Sequence, residues 1–304
     1  MHNVVIVGGG PAGLSAALTA AVAGAPVLLL DSNPRLGGQY WRTPADNFGD
    51  QHENHFDLAT GLKLINSVKA QPNIQVLSGA QIWSASHKDG VSTLRVIYQG
   101  SEKIINTGNL ILATGAYDRS LPFPGWDIPG VMTPGGVQSL IKGHGVVAGK
   151  RVVVAGSGPF LLPVAAGLVK SGADVVELLE ANKSWRWASS ILVLLENLSK
   201  IKEGFYYIEA ISKGKVRARF GQAVVGAYAG ENGELESVDI AKIDRNFKIK
   251  KVRNIKCDVA AIGWGFTADT SLAGALGCKQ VVAKDESVVV LIDSKQQTSI
   301  TGVF

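Results

Sequence analysis

The chain has 304 residues, 46% of them hydrophobic, with 36 glycines and a formal net charge of +5. That length supports two domains, each with its own core, and the glycine content suits buried strands joined by tight turns. The two cysteines, Cys257 and Cys278, form neither a disulfide framework, nor a metal cluster, nor a Cys-x-x-Cys redox pair.

The densest pattern lies in the first forty residues. The apolar run Val4-Val5-Ile6-Val7 meets the turn Gly8-Gly9-Gly10-Pro11-Ala12-Gly13, and an Ala-rich helix, a second apolar run and the carboxylate of Asp31 follow. This order reads as a dinucleotide-binding βαβ unit. Gly8 permits the turn, Gly10 lets the backbone approach a pyrophosphate, and Gly13 lets helix and strand pack closely. Pro11 takes the first helical position, whose N–H needs no partner. The helix N-terminus then offers amides and a positive dipole end to phosphates. Asp31 is placed to accept hydrogen bonds from a ribose diol. No basic region precedes the first apolar run, so it does not read as a signal peptide. No stretch approaches the roughly 18 to 20 apolar residues of a membrane span. A cytoplasmic setting is the expectation.

Next comes the glycine-rich loop Asn33-Pro34-Arg35-Leu36-Gly37-Gly38-Gln39-Tyr40-Trp41-Arg42. Residues 43 to 55 read as polar loop. Its His52 and His55 have no third ligand type nearby and therefore suggest surface rather than metal. An amphipathic helix is expected around 56 to 70, then strands at 74 to 77, 81 to 86 and 92 to 98, with Asp89-Gly90 as a hairpin turn. Residues 109 to 112 form a buried strand ending in the turn Ala113-Thr114-Gly115. Four prolines and four glycines between Ser120 and Gly136 mark a linker.

The opening signature then recurs. Arg151-Val152-Val153-Val154-Ala155-Gly156-Ser157-Gly158-Pro159 begins a second strand, turn and helix, and Gly156 and Gly172 each follow Gly8 and Gly24 by 148 residues. Three departures mark this copy. Leu161 stands at the third glycine, and Pro163 is expected about one turn into the helix, where it removes a hydrogen bond. Glu180 falls one residue later than Asp31 requires, so its strand needs a bulge or a longer reach. Trp185 and Trp187, flanking Arg186, read as surface packing. Basic residues concentrate between Lys200 and Lys256. The alternation at 215 to 220 suggests an antiparallel strand with one wet face rather than a nucleic-acid site. A final strand-and-glycine element runs from Cys257 to Gly265, and residues 269 to 304 return to the first domain.

Taken together these motifs resemble the two-dinucleotide-binding flavoprotein family that includes thioredoxin and ferredoxin reductases. The resemblance implies an α/β fold of two Rossmann-like domains, the second inserted into the first, as in thioredoxin or glutathione reductase. Residues 1–119 and 269–304 would form the FAD-binding domain and 120–268 the NAD(P)-binding-like domain. It implies FAD contacts from Gly8, Gly10, Pro11, Ala12, Gly13, Asp31, Ser32, Gly38, Gln39, Arg42, Ala113, Thr114 and Gly115. NAD contacts are implied for Gly156, Gly158, Pro159 and Glu180. Gln39, Trp41 and Asp118 lie on loops expected near the flavin as packing or positioning residues. No metal ligand and no catalytic acid or base is identified, since in this fold the cofactor carries the chemistry.

Gly37-Gly38-Gln39-Tyr40-Trp41-Arg42, Ala113 to Arg119, Pro124-Gly125-Trp126, Pro129-Gly130-Val131 and Gly263-Trp264-Gly265-Phe266 are similar to a narrower branch. That branch holds the α-type subunits of opine oxidases, hydrogen cyanide synthase and related amino-acid dehydrogenases and sarcosine oxidases. It implies a flavoprotein β-type partner that oxidises a small amine or opine while the α-type subunit passes electrons on. In such flavoproteins Thr298 to Phe304 would continue into Ala-x-Gly-Asp, which is missing here, so a truncated flavin domain with an exposed sheet edge is expected. Two alternatives to the electron-transferring subunit stay open at this point. One is a self-contained NAD(P)H-dependent flavin reductase, the other a non-catalytic nucleotide-binding subunit.

Overall fold

The computed structural model describes residues 3–44, 57–183, 198–244 and 248–304. His52, His55, Trp185, Arg186 and Trp187 lie outside them. The chain divides into two compact units, one of residues 1–43, 57–117 and 267–304, the other of residues 44–56 and 118–266.

The first unit starts from β1 (Val4–Val7), whose apolar side chains face two cores. Helix α1 (Pro11–Val22) buries Leu14, Ala17 and Ala21, and β2 (Val27–Asp31) is buried along its whole length. Helix α2 (Leu58–Ala70) buries Leu58, Gly61, Ile65 and Val68, a stripe at helical spacing. Strand β3 (Ile74–Ser78) pairs parallel with β2. The strands β4 (Gln81–Lys88), β5 (Val91–Tyr98) and β6 (Ser101–Thr107) form an antiparallel sheet. Both of its two-residue turns, Asp89-Gly90 and Gln99-Gly100, have positive φ at each residue, the geometry that matches the twist of a hairpin. The second hairpin is hard to read in the sequence because glutamine is a weak turn signal. Strand β7 (Leu110–Leu112) completes a parallel sheet of order β3-β2-β1-β7. The chain leaves this unit through β8 (Ala116–Asp118).

The proline- and glycine-rich stretch is part of the second unit rather than a linker. Its β9 (Val131–Met132) pairs with a buried strand further on, and α3 (Pro134–His144) buries Val137 and Ile141. After β10 (Arg151–Gly156), α4 (Leu161–Lys170) and β11 (Asp174–Glu180) repeat the opening βαβ. Helices α1 and α4 close alike. Gly24 and Gly172 hold φ of +89° and +88°, and the following amides of Ala25 and Ala173 reach back to the carbonyls of Ala20 and Leu168.

Helix α5 (Leu198–Lys213) crosses to β12 (Arg217–Phe220), which pairs parallel with β11 as an edge strand. The expected antiparallel pairing is thus overturned. A strand–helix–strand crossover returns the chain in the same direction, and the polar alternation at 215 to 220 reflects the exposed edge. An antiparallel sheet follows, β13 (Gln222–Ala229), β14 (Leu235–Ile243) and β15 (Ile249–Lys256), and then the buried β16 (Val259–Gly263). The parallel sheet has order β12-β11-β10-β16-β9. Arg219 and Arg253 both pair with Glu177, which is 2% exposed, so part of the basic run between 200 and 256 is neutralised internally.

The chain returns through β17 (Phe266–Ala268), paired with β8. Helix α6 (Ser271–Ala275) and the hairpin β18 (Gln280–Val282) and β19 (Val288–Val290) follow. Residues 302 to 304 then lie parallel beside β7, with Leu110 N–H donating to Gly302 O at 2.8 Å and Leu112 N–H to Phe304 O at 2.7 Å.

Trp41, 8% exposed, packs its ring over Gly61 of α2. A methyl group on Gly61 would sit 2.4 Å from the indole Cγ. Gly61→Ala is therefore expected to destabilise the first unit by about 1–3 kcal/mol, because overpacking a filled core forces side chains off their rotamers. Denaturant unfolding should show a lower midpoint with an unchanged slope.

Candidate functional site

In the first unit the turn after β1 is built by close backbone contacts. A side chain on Gly8, whose φ is +107°, would strike the carbonyl oxygen of Ala113 at 2.1 Å. One on Gly13 would lie 1.8 Å from Gly8 O. Both positions therefore need glycine, and α1 begins directly at Pro11. Among the described residues, the amides of Gly10, Ala12 and Gly13 meet no acceptor. Helix N-termini leave such donors to water or ligand, and here they sit together at one turn.

The loop after β2 folds onto this turn. Gly37 N–H donates to Gly9 O at 2.8 Å, which brings Gly38 opposite Gly10. A methyl on Gly10 would meet only Gly38 Cα, at an ordinary contact distance of 3.7 Å, so a small side chain has room there. On the same loop the Arg42 guanidinium donates to Gln39 Oε1. Burial, and then Arg35, lower the pKa of Arg42 from its ordinary value. Ser32 is exposed just beyond Asp31. Thr114 donates its hydroxyl to Asp269 O at 2.8 Å, and Asp269 N–H donates to Gly115 O at 3.0 Å, so these two residues anchor the returning segment. Gly38 packs against Gly10, since a methyl on Gly38 would lie 2.8 Å from Gly10 Cα.

Asp31 is 5% exposed, and its carboxylate is already engaged. Oδ2 accepts from Gly9 N–H at 2.6 Å, and Oδ1 accepts from Asn33 N–H at 2.7 Å and from Asn33 Nδ2 at 3.1 Å. A carboxylate offers about four acceptor positions, so its first role is to fix the shape of the turn.

The second unit carries a related clamp shifted by one residue, its carboxylate holding the amide of Gly158, which corresponds to Gly10 rather than to Gly9. Glu180, 4% exposed, accepts from Gly158 N–H at 2.9 Å, from Asn182 N–H at 2.9 Å and from Asn182 Nδ2 at 3.0 Å. Asn182 Nδ2 also donates to Ser157 Oγ at 2.7 Å. The expected bulge exists, but at the start of β11 rather than its end. Val152 pairs with Val175 while Val153 pairs with Glu177, and the skipped residue restores Gly156 opposite Glu180. Sequence reasoning does not single out Gly9, Asn33, Ser157 or Asn182. The repeated acid-x-Asn, Asp31-Ser32-Asn33 and Glu180-Ala181-Asn182, is the signal that would have found them.

Pro163 does not cost a helical hydrogen bond. Helix α4 begins at Leu161, so Pro163 lies in its first turn, where amides have no intrahelical partner. Relative to α1 the helix starts two residues later, and Gly158 and Pro159 belong to a tight turn instead. Leu161 N–H donates to Gly158 O and Leu162 N–H to Pro159 O, while Ser157 N–H donates to Gly263 O. As folded, the amides of Ser157, Gly158, Leu161 and Leu162 are taken by acceptors within the turn and its neighbours, and among the described residues only that of Phe160 in this stretch meets none.

Asp118 accepts from Gly135 N–H at 3.0 Å at the start of α3 and is a positioning residue in the second unit. Trp41 is core. Both cysteines are buried, and burial pushes the Cys257 thiol up to about 12. They fall in different units. Among the described residues no group of histidines, cysteines and carboxylates could hold a metal, and no helix is long and apolar enough to cross a membrane.

The family model described as pyridine nucleotide-disulphide oxidoreductase matches residues 2–304. The chain is 30% identical to a subunit of the opine oxidase of Agrobacterium tumefaciens over 316 aligned residues, covering 100% of this chain and 60% of that protein. It is 30% identical to the HcnB subunit of the hydrogen cyanide synthase of Pseudomonas protegens, covering 98% of this chain and 63% of the relative. Against the alpha subunit of the sarcosine oxidase of a Corynebacterium the identity is 30%, over 87% of this chain and 26% of the relative. The chain thus spans less than two thirds of the length of these relatives. Two solved structures share the fold across the whole chain. The Lactococcus lactis thioredoxin reductase has a TM-score of 0.69 at 17% identity, with 89% of it covered. The L-proline dehydrogenase of P. horikoshii has a TM-score of 0.67 at 18% identity, with 49% covered. The chain belongs to the pyridine nucleotide-disulphide oxidoreductase family, whose members bind FAD and use NAD(P)H.

Proposed function

We propose that this chain is the FAD-binding, electron-transferring α-type subunit of a complex that oxidises a small amine or opine, with the amine handled by a flavoprotein β-type partner. The first unit is the FAD-binding domain of this reading, and the second is its NAD(P)-binding-like domain. The observation that carries it is the open row of amides at Gly10, Ala12 and Gly13, facing Gly38. The similarity to subunits of opine oxidase, hydrogen cyanide synthase and sarcosine oxidase supports the partner.

In this reading Gly10, Ala12 and Gly13 donate to the pyrophosphate, and Pro11 starts the helix whose dipole faces it. Asp31 holds the turn through Gly9 and faces the ribose at the end of β2. Gly38, Gln39 and Arg42 close over the turn, Ser32 flanks the ribose, and Ala113, Thr114 and Gly115 form the wall behind the flavin. Bound FAD supplies the redox chemistry, and the chain holds and orients it. In the second unit Gly156, Gly158, Pro159 and Glu180 form the corresponding turn, and the buried charge of Glu180 favours an unphosphorylated ribose.

In Gly10→Val the Cβ meets only Gly38 Cα, at an ordinary 3.7 Å, so the fold is expected to survive while the pyrophosphate is blocked. FAD affinity should fall at least about tenfold, a loss of about 1.4 kcal/mol, with an unchanged unfolding midpoint in the FAD-free protein. Unaltered flavin content in the purified variant would contradict the assignment.

The partner requirement is tested by dye reduction with opines, sarcosine, proline and glycine as donors. The lone chain is expected to give no amine-dependent turnover, and co-expression with its partner should restore it. Amine-dependent turnover by the lone chain would remove the partner from the reading. NADH-dependent turnover without amine would favour a self-contained reductase instead.

A further inference from the structure

The two nucleotide turns share one sequence pattern but differ where Ser157 stands for Gly9 and at two adjacent side chains at the helix start. Ala12 and Gly13 of the first correspond, 148 residues on, to Phe160 and Leu161 of the second. Gly13 is in contact with the turn that precedes it, and a Cβ there would overlap Gly8 O. A leucine cannot occupy that place. In the second unit the helix start is withdrawn by two residues, and Leu161 is buried at 3% exposure in the core under α4.

The withdrawal takes up most of the donors that a phosphate would use, the Gly158 N–H going to Glu180 and that of Phe160 staying without an acceptor among the described residues. The first two amides of α4 bond to Gly158 O and Pro159 O at 3.3 and 3.1 Å, and the third helical residue, Pro163, has none. Phe160 then lies edge-on against Phe266, with ring centroids 4.8 Å apart. A cavity of about 60 Å³ lies beside Leu161, Leu162 and Glu180, while the one next to Phe160, between Asp118, Pro134, Ser157 and Gly263, has a volume of about 10 Å³. That is room for about one water molecule. In open sheets of this kind the ligand crevice lies at this point, where the strand order reverses.

We propose that Phe160, seated against Phe266 and backed by Leu161, keeps the second nucleotide turn closed, so that a pyridine dinucleotide binds there only after the turn refolds. Opening breaks the two turn bonds to Gly158 O and Pro159 O and separates the ring pair. The free energy of that rearrangement is subtracted from binding, which weakens the apparent affinity in proportion to the population of the open form. Phe160 is thus a specificity-determining residue that acts by steric closure.

The test is the dissociation constant of NADH, read by calorimetry on the full chain carrying its FAD. The wild type is compared with Phe160→Ala and with Phe266→Ala. Phe266 is 47% exposed, so its loss spares the fold even where Phe160→Ala does not. Phe160→Ala is expected to bind NADH at least about tenfold more tightly than wild type, which corresponds to about 1.4 kcal/mol. Phe266→Ala should shift in the same direction by a smaller factor. Flavin content should stay constant across all three. Equal NADH affinity in folded wild type and variants, whether tight or undetectable in all, would overturn the closure.

Discussion

The carbonyl oxygen of Gly8 lies where a Cβ at position 13 would have to be, 1.8 Å away. This contact between turn and helix lets α1 start at Pro11 and leaves its first amides pointing outward. It also lets β1 and β7 approach through Gly8 and Ala113 at the end of the sheet. The loop of residues 33–42 can then fold over the turn, because the Gly9 carbonyl receives Gly37. The candidate FAD site follows from whether one side chain is present, and Asp31 secures it by holding the Gly9 amide.

The second unit shows what happens when that contact is lost. Its sheet order, glycine helix cap and carboxylate–amide clamp are retained. A bulge at the start of β11 even corrects the register of Glu180. The backbone scaffold therefore survives with its turn internally hydrogen-bonded. Buried polar groups are costly without partners, and a turn that no longer faces a ligand gains by satisfying its own amides. The asymmetry supports the proposed reading of electron transfer with a partner over hydride transfer from a nucleotide held in this chain.

Much of this is legible in the sequence, for reasons that are local. Glycine spacing reports the first turn, since only glycine fits those contacts, and apolar runs report the buried parallel strands. The 148-residue repeat reports the second sheet. What escapes a reading of the residues depends on tertiary context. The parallel pairing of Arg217–Phe220 is imposed by the crossover through Leu198–Lys213, whose mixed apolar and basic residues hide its helical character. The place of Val131–Met132 in a sheet is set by β16, and the prolines around it read as linker. At the site, the engagement of Asp31 and Glu180 with Asn33 and Asn182 escapes because only the acidic residues belong to the familiar spacing. Pro163 reads as a helix breaker only until Leu161 is seen to move the helix start.

Amide hydrogen exchange of the full chain, measured with and without added FAD, tests the asymmetry between the two turns most directly. The amides of Gly10, Ala12 and Gly13 are expected to exchange rapidly without flavin and to become protected when FAD is bound. Those of Ser157, Gly158, Leu161 and Leu162 should be protected in both states. Rapid exchange at the second turn without ligand, together with FAD-dependent protection there and not at the first, would contradict the account.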